Sequence, residues 1–257
     1  LLAVFAKFLP MPDPAKPIQC GLRTCSRLPP GPGHIFGTDG LGRDMFSRVV
    51  WGAQVSLMVG FASIFISLLV GGGVGIVAGY FRGPVESSLM AITDIFLAFP
   101  PLLLALALVT FTDNRSVRTV ILAISIVAIP PVARLVRANT LVFAQREFVL
   151  ASRTLGASHF RIIIKEVLPN VILPILSFAI IGVAVAIVAE GALAFLGLSV
   201  QPPTPTWGGM INEGRNTLDT YPHITLIPCA IMFLTILSLN LAGDRVREYF
   251  DIKESVL

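Results

Sequence analysis

The residues that could do chemistry in this sequence are few and scattered. Asp39 and Asp44 stand in the run Phe36-Gly37-Thr38-Asp39-Gly40-Leu41-Gly42-Arg43-Asp44, Asp94 and Glu190 interrupt long apolar segments, and three histidines lie far apart. Two carboxylates without His or Cys at ligand spacing do not read as a metal site, and the scattered histidines form no zinc pattern. Thr38 and Asp39 suit a helix cap instead, and Arg43 with Asp44 can clamp the turn through charge-assisted hydrogen bonds. Gly73-Val74-Gly75-Ile76-Val77-Ala78 fits a loose dinucleotide fingerprint, but that motif needs a preceding strand and a soluble fold, and here it lies in an apolar run. There is no phosphate-binding G-x-x-x-x-G-K-S/T loop and no His-Glu-x-x-His. No catalytic residue, cofactor or metal is therefore expected in this chain, and energy for any work must come from a partner.

One stretch is patterned for such a partner. Residues 134–169 form a basic interruption between two apolar segments, with Leu141, Ala144, Phe148, Ala151 and Leu155 at the three-then-four spacing of one helical side. The predicted helix ends at Gly156, because glycine tolerates the left-handed backbone that closes a helix. Ser158 caps a second predicted helix with Phe160, Ile163, Ile164 and Val167 on one side, and Leu168-Pro169-Asn170 is expected to break it. Two short amphipathic helices joined at a glycine present an apolar ridge that water does not favour and lipid does not need. A partner protein explains it.

The elements around this stretch are membrane spans. The chain of 257 residues is 54% hydrophobic and only 13% charged, far more apolar than a soluble domain. Residues 55–80, 95–111, 119–133, 171–189 and 224–243 can each span the hydrocarbon, and residues 1–9 read as the tail of a further, first span. The loop after the fourth of these six carries Arg134, Arg137, Arg146, Arg153, Arg161 and Lys165 against Glu147 and Glu166, which keeps it in the cytoplasm. Alternation puts the tail 244–257 inside as well and the Pro-rich loop 10–51 outside. The spanning core is then 52–243, with the cytoplasmic loop 134–169 and an outer loop 199–222. The net charge of +4 sits mostly in loops, and there is no basic soluble face for nucleic acid.

Several residues qualify this outline. Cys20 and Cys25, five positions apart, either pair in an oxidising compartment or stay as two free thiols. Gly71, Gly75 and Gly79 place small residues on one helical side, where a second helix can approach closely. Pro100-Pro101 is expected to kink the third span and open the pathway, and Pro130-Pro131 to do the same for the fourth. Asp94 is costly against lipid and should face other helices or the inner boundary, whereas Glu190 lies near the outer face and need not be buried deeply. Trp207, Glu213 and Arg215, in the Gly- and Pro-rich segment after the fifth span, suggest an outer gate with Trp207 at the interface. Asn114-Arg115-Ser116 matches a glycosylation tripeptide.

Anchored on Gly156, Ala151-Ser152 and Leu168-Pro169 sit at the spacing of the cytoplasmic loop signature of ABC importer permeases, which the chain resembles. Gly37-Thr38-Asp39 with Gly42-Arg43-Asp44, Glu190 with Phe195-Leu196-Gly197, Trp207-Gly208, and Asn240-Leu241 with Gly243-Asp244 are similar to the dipeptide/oligopeptide/nickel permease family, nearest its C-type subunit. Leu150 stands where the signature has Glu, with Glu147 one turn earlier, Ser152 replaces its second alanine, Glu166 replaces its isoleucine, and His223 replaces a tryptophan.

The resemblance implies an all-α membrane protein with a six-transmembrane-helix permease fold whose first helix is only partly present. It implies a bacterial inner-membrane subunit of an ATP-driven peptide importer, paired as a heterodimer with a homologous B-type permease. One or two cytoplasmic ATPase subunits would bind ATP and magnesium and grip the loop at Glu147, Phe148, Ala151, Ser152, Leu155, Gly156, Leu168 and Pro169. An extracytoplasmic peptide-binding protein would deliver cargo, and Asp39, Arg43, Asp44, Glu190, Trp207, Glu213 and Arg215 are the candidates for the outer loop and gate. The competing reading is an ion-coupled secondary transporter using Asp94 and Glu190.

Overall fold

The structure is a computed structural model that describes residues 10–20, 22–112 and 115–254. Residues 1–9, read above as the end of a first span, and Asn114 lie outside the described residues. Helices carry the architecture: α1 (Met45–Phe81), α2 (Gly83–Leu97), α3 (Pro101–Thr110), α4 (Val117–Phe143), α5 (Glu147–Thr154), α6 (His159–Ile162), α7 (Leu168–Phe195), α8 (Trp207–Gly214) and α9 (His223–Glu254). A short antiparallel hairpin of β1 (Gln19–Cys20) and β2 (Arg23–Thr24) precedes them, with Gln19 opposite Thr24 and Cys20 opposite Arg23. α1, α4, the run His159–Phe195 and α9 are each long and apolar enough to cross a membrane. α2 and α3 together make a fifth span, bent by 83° at the Pro100-Pro101 break. The five predicted spans each fall on one of these, so the chain is an all-α membrane protein.

Boundaries differ from the periodicity in several places. α1 starts at Met45 rather than after residue 51, because Asp44 caps it by accepting from the Ser47 N–H at 2.8 Å and Met45, Val49 and Val50 are buried. α4 continues through Pro130 and Pro131 to Phe143, so residues 134–143 extend a span instead of opening a loop. More than a turn before the proline pair, the Ser67 hydroxyl of α1 donates to the Ser125 carbonyl of α4 at 3.0 Å, a tertiary contact between the two helices. The single helix expected over 141–155 is broken: Arg146 is extended and caps α5, while Ala144 turns into the core. Leu168-Pro169 does not break the next helix, because a π turn at Ile163–Val167 accommodates the proline and joins α6 to α7. The tail from 244 likewise continues α9 to Glu254.

Two compact units interleave along the chain. In one, comprising residues up to Phe61, Leu106–Ala123 and Ala184–Ser238, Met45, Val49, Met210 and Ile224 form a core to which Phe36, Tyr221, Ile227 and Ile231 add. Cys20 and Cys25 are bonded there, their Cα atoms 5.3 Å apart, which decides the question that spacing left open. In the other, comprising Ala62–Ala105, Ile124–Val183 and residues from Leu239, the glycine seam of α1 lies on α4. A Cβ on Gly71 would stand 2.6 Å from the Ile129 carbonyl, and one on Gly75 2.5 Å from that of Ala133. The seam is thus an internal contact of this chain. Tyr80, Val136, Ala144, Val149, Ile162, Val167, Val171 and Ile175 make that unit's apolar core.

Candidate functional site

Residues 147–169 fold into a helical hairpin with two unlike sides. Val149, Ile162 and Val167 are fully buried in the core of their unit, where Tyr80 donates to or accepts from His159 Nδ1 at 3.0 Å and Arg153 lies 5.0 Å over the Tyr80 ring. Between α5 and α6 Gly156 takes φ +78°, and the Ala157 N–H returns to the Ser152 carbonyl at 3.1 Å, a glycine-closed helix end. Ser158 accepts from the Arg161 N–H at 3.4 Å, as its capping pattern predicts. On the other side Phe148, Leu150, Leu155 and Phe160 are exposed, Leu155 by 87% and Phe160 by 76%. The expected ridge of Phe148, Ala151 and Leu155 is therefore on the surface, but Ala144 leaves it for the core. The second predicted stripe also divides: Val167 is buried with Ile162, while Phe160 and Ile164 face outward. Glu147 is exposed in the first turn of α5, Ser152 is half-buried, and Leu168 and Pro169 begin α7.

A second group gathers around the 36–44 turn. The Asp39 carboxylate accepts from the N–H groups of Leu41 at 2.9 Å and Arg43 at 2.8 Å and from Arg43 Nε at 2.6 Å, and lies 3.0 Å from Arg48 Nη1. Glu213 of α8 accepts from Arg43 at 2.7 Å and from Arg48 at 2.9 Å. Two guanidiniums thus face two carboxylates in a neutral, mostly buried quartet. Arg43 clamps Asp39 rather than Asp44, which is occupied at the α1 cap and 3.4 Å from His34. Burial pushes the Glu213 carboxyl above the ordinary glutamate range, partly offset by the Arg43 charge. Sequence spacing did not flag Arg48, although a basic residue one turn after a helix cap, at the mouth of an apolar run, is the kind of signal that calls for a buried partner.

Glu190, Trp207 and Arg215 make other contacts. Glu190 is fully buried, deeper than its place near the outer face suggested, and Ser199 donates to it at 2.6 Å and Ser56 at 3.5 Å. Ser56 also accepts from the Trp207 N–H at 3.2 Å, and the Trp207 indole donates to the Val49 carbonyl at 3.1 Å. Trp207 is buried at a helix contact rather than interfacial; a Cβ on neighbouring Gly208 would meet the Gly191 Cα at 2.6 Å. Arg215 and Arg115 donate to the carbonyls of Phe195 and Gly197, neutralising the C-terminal end of α7, where Gly197 has φ +74°. Asp94 pairs with Arg134 at 2.5 Å and Glu86 with Arg137, both linking α2 to α4.

Comparison with known proteins decides what this arrangement belongs to. A profile described as "Binding-protein-dependent transport system inner membrane component" matches residues 71–255. The chain belongs to this family of transporter membrane components. Among similar curated proteins, the glutathione transport system permease protein GsiD of Pectobacterium atrosepticum is 39% identical over 229 residues, covering 88% of this chain and 76% of that protein. GsiD of Escherichia coli O6:K15:H31 is 42% identical over 220 residues, 86% and 72% of the two chains. Among solved structures, an inward-facing MetNI methionine ABC transporter superposes with a TM-score of 0.66 at 21% identity, over 80% of this chain and 97% of that one. An amino acid ABC transporter gives 0.61 at 16% identity, over 79% and 94%. The protein is a permease component of an ABC importer, with the permease fold.

Proposed function

We propose that this permease is one of two membrane subunits of an ATP-driven importer of small peptides, with glutathione-like peptides the class that its relatives' names suggest. The hairpin carries this reading. Its inner side is locked into the core while Leu155 and Phe160 stand bare on the other, which suits a surface that a soluble partner covers. Cytoplasmic ATPase subunits, holding ATP and magnesium, grip that ridge together with Glu147, Phe148 and Ala151, and their closure moves the hairpin and tilts the spans. A homologous B-type permease supplies the other half of the pathway. An extracytoplasmic binding protein releases cargo on the side of Asp39, Arg43 and Glu213, and the chain itself performs no hydrolysis. The hairpin and C-terminus lie in the cytoplasm of a bacterial cell, as the basic loop supports. An ion-coupled carrier is less well supported, since Asp94 and Glu190 are both committed to protein partners.

Replacing Leu155 and Phe160 with Glu tests the reading. Both side chains are exposed, so the chain should fold, while co-purification of the ATPase subunits and cargo-stimulated ATP hydrolysis should fall by about tenfold or more, as for loss of an interface anchor. Normal assembly and transport in the double variant would overturn it.

A further inference from the structure

α2 is a rod with a sharp change of direction at each end. At its start, Arg82 and Gly83 take φ +53° and +61°, a sharp left-handed corner after α1; after it, the Pro100-Pro101 break turns the chain by 83° into α3. Along its fifteen residues only Thr93 is buried, so apolar packing does little to hold it within the chain. Its two charged side chains, Glu86 and Asp94, both reach α4: Arg137 donates to Glu86 through Nε at 2.6 Å and also through Nη2, and Arg134 donates to Asp94 at 2.5 Å. α4 itself is held fast, because Gly75 and Gly79 press against the backbone of Arg137 and against Thr140. Arg137 therefore lies where α1, α2 and α4 meet, its backbone on the first and its side chain on the second. Six residues beyond it α4 ends and the chain turns towards the hairpin.

We infer that the Glu86–Arg137 and Asp94–Arg134 pairs are coupling links that make α2 travel with α4, so that displacement of the hairpin reaches the bent α2–α3 segment. This rests on the ATPase-coupling reading above and adds the residues that pass the motion on. Two charge pairs tie α2 to α4 at two points along α2, as a fixed distance between the helices requires. The four residues are positioning residues and need touch neither cargo nor nucleotide.

The test uses the assembled transporter, with its second permease, ATPase subunits and binding protein, in lipid nanodiscs. Spin labels at Ser88→Cys on α2 and Val142→Cys on α4, in a Cys229→Ser background, report the separation of the two helices with and without trapping by ATP and vanadate. With the native pairs the distance should be unchanged by trapping. In the Glu86→Gln/Asp94→Asn variant trapping should shift it by about 2 Å or more, the scale of helix displacements in such transitions, while ATP hydrolysis stays within about twofold of the native rate. Exchanging the second pair on a chain that has lost the first, as Glu86→Gln/Asp94→Arg/Arg134→Asp, re-forms one link with its charges reversed and should restore the fixed distance. A distance that changes with the native pairs, or one that stays fixed in the neutralised variant, overturns the inference while leaving the coupling reading intact. If the ATPase subunits fail to co-purify with the unmodified chain, the coupling reading falls, and this inference with it.

Discussion

Glu190 shows how much a single side chain can depend on its surroundings. It is buried with its carboxylate between Ser199 and Ser56, so truncation to Ala strands two hydroxyls as well as removing the bonds. Glu190→Ala is expected to destabilise the purified protein by about 1–3 kcal/mol, with Glu190→Gln retaining part of the network and losing less. Thermal unfolding of the detergent-solubilised protein measures both. Glu213 offers a pH signature instead. Its folded pKa lies above its unfolded one, so its contribution favours the folded state increasingly as pH falls through the folded pKa, and the gain is complete below the unfolded pKa. The native protein should therefore gain stability relative to Glu213→Gln between neutral and mildly acidic pH. A stability difference that is flat across that window, or that moves the other way, contradicts the burial argument.

At the scale of elements, glycines separate packing from backbone conformation. Gly75 has no room for a Cβ against α4, whereas Gly73, midway between the seam residues Gly71 and Gly75, is exposed and has open space where a Cβ would stand. Gly75→Leu is expected to prevent the α1–α4 contact and abolish the folded protein, while Gly73→Ala should keep the fold and raise its stability by up to about 1 kcal/mol, alanine being the better helix former. Gly156 is the third kind: nothing lies near its missing Cβ, but its φ of +78° is left-handed. Gly156→Val should cost about 1–3 kcal/mol in backbone strain at the hairpin turn. Cargo-stimulated ATP hydrolysis of the assembled transporter should then fall further than global unfolding data explain. Expression, unfolding and hydrolysis measured on the three variants distinguish a seam, a bystander and a turn.

For the whole molecule, the testable quantity is orientation. If the hairpin lies in the cytoplasm and the β1–β2 loop outside, a cysteine at Arg146 should react with a membrane-impermeant maleimide only after permeabilisation, and one at the fully exposed Leu22 in intact cells. The reverse pattern would invert the topology. The resemblance to GsiD and the match over residues 71–255 fix the class of machine, and the exposed ridge on α5 and α6 is where the coupling reading has such a machine gripped.

Local properties of the chain were legible from its sequence. Long uncharged runs set the spans because each backbone amide in hydrocarbon must bond within its own helix, and that needs only a stretch of apolar neighbours. The glycine seam, the Gly156 stop, the Ser158 cap and the bend at Pro100-Pro101 follow from the backbone preferences of single residues. What escaped was decided by residues far apart in the chain. Arg48 reaches Asp39 and Glu213, the second pair 165 positions apart; Glu190 is buried by serines from α1 and from the segment after α7; and the helix break at Ala144 comes from a core built on Tyr80 and Val136. Periodicity runs straight through such places, because it records which side of a helix is apolar and not which distant group arrives to meet it.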